Sequence, residues 1–369
     1  MAKVYSIGIS TYSTNNNNNI HSINFGKNPR LNLVDRRLLR LSNKVSSENL
    51  HHHLDIIAGP ATEGRGVGQP GIEVAKDYIS GQFKSIGLAP LDKINLTGFL
   101  QKFSMKKYIT KTYNSSKNTG GYIDTFTASN TETSNVIGVI KGNKDNNEYL
   151  LISAHYDHLG KDEKNNIIFP GADDDASGVA SLLEIARVLK NKHPKKSIVF
   201  AALSGEEAGH NGANSLAKEL NKYGLTKQVQ VLNLEMLAGK SGNTLDAWSQ
   251  KGDLTKNIME SLKKAGTFFD TEVKIHPGDP GSDARAFSEH NIPSVCVAWD
   301  YTSSGTHPHY HRADDTVENV DFNILGKATK MLVAASYLFA NKMSETDSSL
   351  HKNLRNFVSR ITNKFRKSA

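Results

Sequence analysis

The chain has 369 residues, of which 37% are hydrophobic and 22% are charged, which is enough apolar sequence for a core of ordinary size. It contains no run of about 18 apolar residues, so no transmembrane helix is expected. Its single cysteine, Cys296, excludes an intramolecular disulfide bond and a cysteine-based zinc site.

The net charge of +8 is concentrated at the two ends of the chain. Residues 1–45 and residues 351–369 each carry a charge of +6, which leaves −4 for the residues between them. A nucleic-acid-binding protein needs a basic face on its folded body. Nucleic acid is therefore not an expected partner.

Residues 1–45 are expected to form a disordered, basic, Asn-rich segment, because polar tracts such as the asparagine run 15–19 rarely pack. The apolar stretch 4–9 is too short for a secretory signal. Together with the lone cysteine, this favours a cytoplasmic location.

Apolar residues recur at helical spacing among basic ones in residues 346–369, which predicts a basic amphipathic helix. We expect this helix to pack on the parent domain, and contact with a membrane surface or a partner protein is the alternative. The histidine triplet 51–53 is expected at the surface, because adjacent side chains on a helix point in different directions. The sequence indicates no oligomeric state.

From residue 148 onward, short apolar runs alternate with segments of helical periodicity. Strands separated by helices predict an α/β fold with a mostly parallel central sheet and helices on both faces, a three-layer α/β/α arrangement. The predicted strands are 149–154, 197–203, 229–234 and 293–298, and the predicted helices are 177–189 and 211–221.

Polar residues cluster where these apolar runs end. In open α/β sheets, ligands bind beyond the carboxyl ends of the strands. A single histidine or carboxylate there is usually only solvated, but five clusters at the same predicted edge indicate one functional site. The clusters are His155 with Asp157, residues 173–175, Glu206 with Glu207, Glu235, and His307 with His309 and His311.

Histidines and carboxylates without cysteine suit Zn²⁺, Mn²⁺ or Co²⁺. The cluster offers more donors than one tetrahedral ion can use, which predicts two ions that share a bridging carboxylate and a bridging water. The adjacent pair Glu206 and Glu207 suits a division of roles, in which one carboxylate binds metal and its neighbour acts as general base.

The five segments that carry these polar clusters are 154–160, 170–178, 204–209, 233–236 and 311–316. In order, they resemble the motifs of the co-catalytic di-zinc aminopeptidases, peptidase family M28. This family includes bacterial leucine aminopeptidases, plasma glutamate carboxypeptidase and the glutaminyl cyclases. The resemblance covers about residues 45–340 and implies a zinc-exopeptidase (phosphorylase/hydrolase-like) fold, a catalytic domain at 46–345 and a peptide substrate. Residues 95–134 are too few for the protease-associated insert domain of larger relatives. Segments 63–68 and 78–90 extend the resemblance upstream.

The resemblance also implies a ligand set. Asp174 would bridge two zinc ions, with His155 and Glu235 completing one site and Glu207 and His311 completing the other. The peptide bond that follows Asp174 is often cis in relatives, and we expect a cis bond here.

Further roles are implied at the same site. Glu206 would be the general base, and Asp157 would hydrogen-bond His155 and fix its tautomer. A donor to the oxyanion is also expected. Tyr301 ranks ahead of Tyr310 for that role.

The chain departs from the family pattern at two positions. Glu235 stands where most relatives have aspartate, which affects metal affinity or identity, and Ala284 stands where many relatives have histidine. Among the last three histidines, His311 is preferred as ligand because the Asp-Asp-Thr signature follows it, whereas His307 and His309 are expected to be pocket or surface residues.

These observations favour a zinc-dependent aminopeptidase that hydrolyses N-terminal residues from peptides. Three alternatives stay open: a carboxypeptidase on the same scaffold, a glutaminyl cyclase with one zinc ion, and a metal-free binding module. In the aminopeptidase, Mn²⁺ or Co²⁺ could replace zinc.

Overall fold

An eight-stranded mixed sheet organises the computed structural model of the protein, which describes residues 33–113, 122–143 and 148–342. The order of the strands is β1-β2-β6-β3-β7-β10-β8-β9, and β4 and β5 form a separate hairpin. The predicted helix at 346–369 lies outside the described residues. The strands are β1 (Leu100–Tyr113), β2 (Tyr122–Ile140), β3 (Tyr149–His155), β4 (Gly160–Asp162), β5 (Ile167–Phe169), β6 (Ser197–Leu203), β7 (Val229–Leu234), β8 (Thr244–Ser249), β9 (Glu272–Pro277) and β10 (Ser294–Trp299).

The centre of the sheet is parallel. Strand β3 pairs in parallel with β6 on one side and with β7 on the other, and β7 pairs in parallel with β10. The flanks bring in antiparallel pairs, β1 with β2, β2 with β6 and β8 with β10. Every residue of β3 is buried, as expected for an apolar strand covered on both faces.

Helices cover both faces of the sheet. Alternate residues of β3 enter different cores: Leu150 and Ile152 pack with α4 and α8, whereas Leu151 packs with α5 and α7. The predicted three-layer α/β/α fold is confirmed. None of the described helices is long and apolar enough to cross a bilayer. The helices are α1 (Leu33–Ser42), α2 (Ser47–Ile57), α3 (Pro70–Ile86), α4 (Ser177–Leu189), α5 (Asn211–Lys222), α6 (Gly252–Gly266), α7 (Asp283–Glu289) and α8 (Phe322–Asn341), with 3₁₀ turns at Pro60–Arg65 and Val317–Asn319.

The prediction that residues 1–45 form a disordered segment is wrong for residues 33–45. Residues 33–42 form α1, and Leu38, Leu41 and Val45 are buried in the core with α8. These apolar residues recur at helical spacing, which indicates a helix. The prediction missed it because it extended the polar character of the asparagine run as far as residue 45. Residues 1–32 of the predicted segment lie outside the described residues.

Of the histidine triplet, His53 contradicts the expected surface position. It is buried, and its Nδ1 lies 2.7 Å from the hydroxyl oxygen of Tyr78 on α3. Burial, together with the charges of His52 and Arg187, lowers the pKa of His53 from 6.5 to about 4. The folded protein therefore favours the neutral form of this side chain.

We predict that His53→Gln makes the fold less sensitive to acid. Because the unfolded chain binds this proton more tightly, the contribution of His53 is complete above pH 6.5 and is lost as the pH falls towards about 4. The loss reaches about 3 kcal/mol at most. Glutamine does not titrate and can still bond Tyr78. Urea unfolding at about pH 7.5 and about pH 5 measures this effect. Between the two pH values, the free energy of unfolding should fall less for the variant than for the wild type.

The control for this prediction is His193→Gln, since His193 is exposed. Its stability relative to the wild type should change little between the two pH values. A His53→Gln protein that loses as much stability in acid as the wild type would contradict the prediction.

Candidate metal centre

Four parallel strands deliver polar residues to one edge of the sheet. Strand β3 ends at His155, β6 ends shortly before Glu206, β7 ends directly before Glu235, and β10 leads into the loop that carries His311. Since these strands are parallel neighbours, their carboxyl ends meet. The structure therefore brings the predicted clusters together.

The first group of possible ligands consists of His155, Asp174 and Glu235. His155 Nε2 lies 3.2 Å from Asp174 Oδ1 and 3.2 Å from Glu235 Oε1. The side-chain amide of Asn233 donates to the other oxygen of Glu235 at 3.3 Å. The longer side chain of Glu235 thus reaches the same point as the other two, and one ion could contact all three.

The second group shares Asp174 with the first. Nε2 of His311 lies 3.1 Å from Asp174 Oδ2 and 3.2 Å from Glu207 Oε2. His158 joins this group, because its Nδ1 lies 2.8 Å from Glu207 Oε1 and 3.7 Å from Asp174 Oδ2. One ion could contact His158, Asp174 and Glu207, and His311 offers a further nitrogen beside the same two carboxylates.

His158 was not among the predicted ligands. The sequence did contain a signal, since His158 follows His155 by three residues in a His-Tyr-Asp-His segment at a strand end. Its side chain is buried, and neither ring nitrogen makes a hydrogen bond of good geometry, although Nδ1 lies close to the Glu207 carboxylate. A buried polar group without a partner is costly, so a role at the metal centre explains this side chain.

The buried polar atoms of the two groups fit a divalent metal. Besides the nitrogens of His158, Asp174 Oδ2 and Glu207 Oε1 lack hydrogen bonds of good geometry although they lie close to other donors of the cluster. A metal ion can coordinate nitrogen and oxygen atoms that point to one place and lack hydrogen bonds of their own. The donor set, with histidines, carboxylates and no thiolate, suits zinc.

Asp157 acts differently from the prediction. His155 Nδ1 lies 3.0 Å from the main-chain oxygen of Asp157, and its distance to the carboxylate is 3.8 Å. The carboxylate instead accepts hydrogen bonds from the backbone N–H groups of Glu206 and Glu207, at 3.2 and 3.3 Å. The expected contact to His155 is therefore made by the Asp157 carbonyl, and the Asp157 side chain fixes the turn that carries both glutamates.

The loop that carries Asp174 is held from two distant parts of the chain. Arg65 is fully buried, and its guanidinium donates to the carbonyl oxygens of Gly171 at 2.6 Å, Asp174 at 3.2 Å and Pro170. The carboxylate of Asp315 accepts from the N–H of Asp174 at 3.1 Å. The peptide bond after Asp174 is cis, which confirms that expectation.

Burial raises the pKa of several carboxyl groups here. It raises the pKa of Glu206 to about 8 and raises the pKa of Asp175 and of Glu235 above their usual values. Carboxylates crowded in a buried site repel one another unless positive charge lies between them. This electrostatic pattern also fits bound cations.

Two tyrosines line the cleft above the cluster. Tyr301 packs edge-on against Trp248, and Tyr310 stacks on His311 with ring centroids 3.8 Å apart. Ala284 is buried in a small core and lies outside the cleft. The cleft is lined by Asp174, Glu206, Glu235, Met236, Pro280, Gly281, Ser282, Ala298, Tyr301, Tyr310 and His311.

The other two histidines of the last loop lie beside aspartates outside the two groups. His307 contacts the carboxylate of Asp173 through Nδ1 and the main-chain oxygen of Trp299 through Nε2. His309 lies 3.0 Å from the half-exposed carboxylate of Asp314. Neither belongs to the two groups around Asp174.

The chain is similar to zinc metalloproteases and aminopeptidases. It is 37% identical over 111 residues to a "Probable zinc metalloprotease" of Pyricularia oryzae, a match that covers 30% of this chain and 22% of that protein. It is 30% identical over 218 residues to aminopeptidase YwaD of Bacillus subtilis, a match that covers 56% of this chain and 45% of the relative. The chain thus spans less than half the length of these relatives.

Solved structures share the fold at low identity. An aminopeptidase from Aneurinibacillus sp. strain AM-1 superposes with a TM-score of 0.66 at 17% identity, over 83% of this chain and 97% of that one. A Bacteroides thetaiotaomicron glutaminyl cyclase bound to N-acetylhistamine superposes with a TM-score of 0.58 at 18% identity, over 81% of this chain and 99% of that one.

The family assignment comes from the sequence. The profile of peptidase family M28 matches residues 135–336, just over half of the chain. This stretch includes both groups of possible metal ligands around Asp174. The chain belongs to peptidase family M28.

Proposed function

We propose that the protein is a zinc-dependent aminopeptidase that binds two metal ions at the carboxyl edge of its sheet. The observation that carries the proposal is the position of Asp174. Its Oδ1 lies beside His155 and its Oδ2 lies beside His311, so the two oxygens of one carboxylate serve two groups of donors. A shared carboxylate is the usual bridge in a two-metal site.

The proposed ligands are taken from these two groups. His155 and Glu235 would hold one ion with Asp174, and Glu207 and His311 would hold the other. His158 is an additional donor for the second ion. Zinc is the proposed metal because it takes histidine and carboxylate ligands and because the relative from Pyricularia oryzae is named a zinc metalloprotease. Mn²⁺ and Co²⁺ suit the same donors.

The proposed chemistry divides between the ions and the protein. When bound, the ions would lower the pKa of a shared water and polarise the scissile carbonyl. Glu206 takes a proton from the water as the water oxygen bonds the scissile carbonyl carbon, and it gives that proton to the amine nitrogen as the C–N bond breaks. The hydroxyl of Tyr301 donates a hydrogen bond to the oxyanion that forms.

The charge of the cleft favours an aminopeptidase over a carboxypeptidase. Three carboxylates line it, those of Asp174, Glu206 and Glu235, and its lining among the described residues includes no lysine or arginine. The proposed ions would offset the charges of Asp174 and Glu235, which leaves Glu206 to attract a substrate α-ammonium group, and no lysine or arginine of this lining can pair with a substrate α-carboxylate. We therefore propose that the free amino end of a peptide enters the cleft.

The function is tested by metal content together with a small substrate panel. The panel contains leucine p-nitroanilide, its N-acetylated form, a hippuryl amino acid for carboxypeptidase action, and an N-terminal glutamine peptide monitored for ammonia. The expected result is two zinc ions per chain and cleavage of the free-amine p-nitroanilide alone, abolished by a chelator and restored by zinc.

The other outcomes identify the alternatives. Cleavage of the hippuryl substrate indicates a carboxypeptidase, and ammonia release with one zinc ion per chain indicates a glutaminyl cyclase. A protein that takes up no metal after zinc addition would be a binding module and would overturn the proposal.

A further inference from the structure

We propose that His210 is a positioning residue that holds the carboxylate of Glu206 in place, an inference that rests on the proposed role of Glu206. The Nε2 atom of His210 lies 3.3 Å from Glu206 Oε1 and 3.2 Å from the main-chain oxygen of Gly281. A carbonyl oxygen only accepts hydrogen bonds, so the contact with Gly281 places the proton on Nε2. The same N–H can then be shared with the Glu206 carboxylate.

The backbone between the two residues explains this contact. The N–H groups of Gly209 and His210 donate to the main-chain oxygen of Glu206, at 2.8 and 2.9 Å, and so close a tight turn. His210 has a φ of 57°, in the left-handed region that ends such a turn. The turn brings the side chain of residue 210 back over the side chain of residue 206.

Both ends of the His210 contact are themselves fixed. Helix α5 starts directly after His210, whose carbonyl accepts from the N–H of Asn214 at 2.9 Å and from its side-chain amide at 3.0 Å. On the other side, the carboxylate of Asp279 accepts from the N–H groups of Gly281 and Ser282, each at 2.8 Å. His210 therefore bridges two rigid segments.

This arrangement has a consequence for catalysis. A glutamate side chain has several rotamers, and a base that must meet a particular water benefits from having only one. His210 engages Oε1 of Glu206, which leaves Oε2 available for the proton of the water. Gly281 also lines the cleft, so His210 ties the base to the wall against which a substrate would bind.

The test compares His210→Phe, which removes the donor, with His210→Gln, whose side-chain amide can replace it. On the zinc-loaded full chain with leucine p-nitroanilide, His210→Phe should lower kcat by about tenfold to a hundredfold with KM and zinc content little changed. His210→Gln should recover most of the lost rate. The control is His193→Phe, because His193 is exposed and shares the positive φ of His210, and it should keep the wild-type rate.

Two kinetic results would overturn the inference. One is an unchanged kcat in His210→Phe, and the other is a glutamine variant as slow as the phenylalanine variant, which would indicate that ring shape and not the hydrogen bond matters. A wild type that cleaves no panel substrate overturns the proposed function separately. Crystal structures of the wild type and His210→Phe then decide the positioning role without activity. One ordered Glu206 rotamer in the wild type and several in the variant support the role, and the same single rotamer in both refutes it.

Discussion

Replacing Glu206 with glutamine should lower kcat on leucine p-nitroanilide by about 10³-fold or more, because the amide cannot take a proton from water. The change keeps the shape of the side chain. Glu206 is absent from both groups of proposed metal ligands, so the zinc content should stay at the two ions per chain expected for the wild type. Steady-state kinetics and metal analysis on the same preparation measure both quantities.

The comparison variant is Glu163→Gln, since Glu163 is an exposed glutamate beyond β4. Its rate should equal that of the wild type. A Glu206→Gln enzyme that keeps a rate within a few-fold of the wild type would remove Glu206 from the role of base. Loss of zinc with the loss of rate would instead place Glu206 among the ligands.

The second large effect is expected for Asp174→Asn, which should abolish binding of both ions and reduce activity to background. Asp174 contributes an oxygen to each group of donors, and an amide is a much poorer zinc ligand than a carboxylate. Metal that binds only the folded protein stabilises it by about 2.7 kcal/mol when its free concentration is a hundred times Kd. Thermal unfolding with and without zinc should therefore show a rise in Tm for the wild type and almost none for the variant.

Two further variants serve as a comparison and as a control for Asp174→Asn. His311→Ala removes a donor from one group only, so it should keep about one ion per chain and part of the rise in Tm. Asp270→Asn changes an exposed aspartate at a left-handed position that asparagine accepts well, and it should behave as the wild type. A full zinc-dependent rise in Asp174→Asn would show that the ions do not share this carboxylate.

The centre of the sheet and the neighbourhood of the site were predictable because two simple patterns coincide there. The largely apolar strands β6 and β7 were predicted with their observed ends, 197–203 and 229–234. Parallel strands bring their carboxyl ends together, so His155 and Glu235 could be placed side by side although 80 positions separate them.

Features that depend on tertiary contacts were not predictable in the same way. Strands β1 and β2 have a mixed polar sequence without a clear strand pattern. The structure shows that they pair with each other and that β2 also pairs with β6. The inward position of His53 depends on Tyr78, which comes from another helix. His158 and His210 could be noticed as histidines, but their distances to Glu207 and Glu206 follow from turn geometry that no periodicity encodes.

The buried guanidinium of Arg65 determines which part of the chain must be kept if the candidate metal centre is transferred to another protein. Arg65 lies some 70 positions before the start of the family match, yet it holds the carbonyl of Asp174. A fragment cut at residue 135 would keep every proposed ligand and lose this support. Grafting the centre onto another scaffold, or shortening the protein for engineering, therefore requires the turn Pro60–Arg65 as well as the ligand loops.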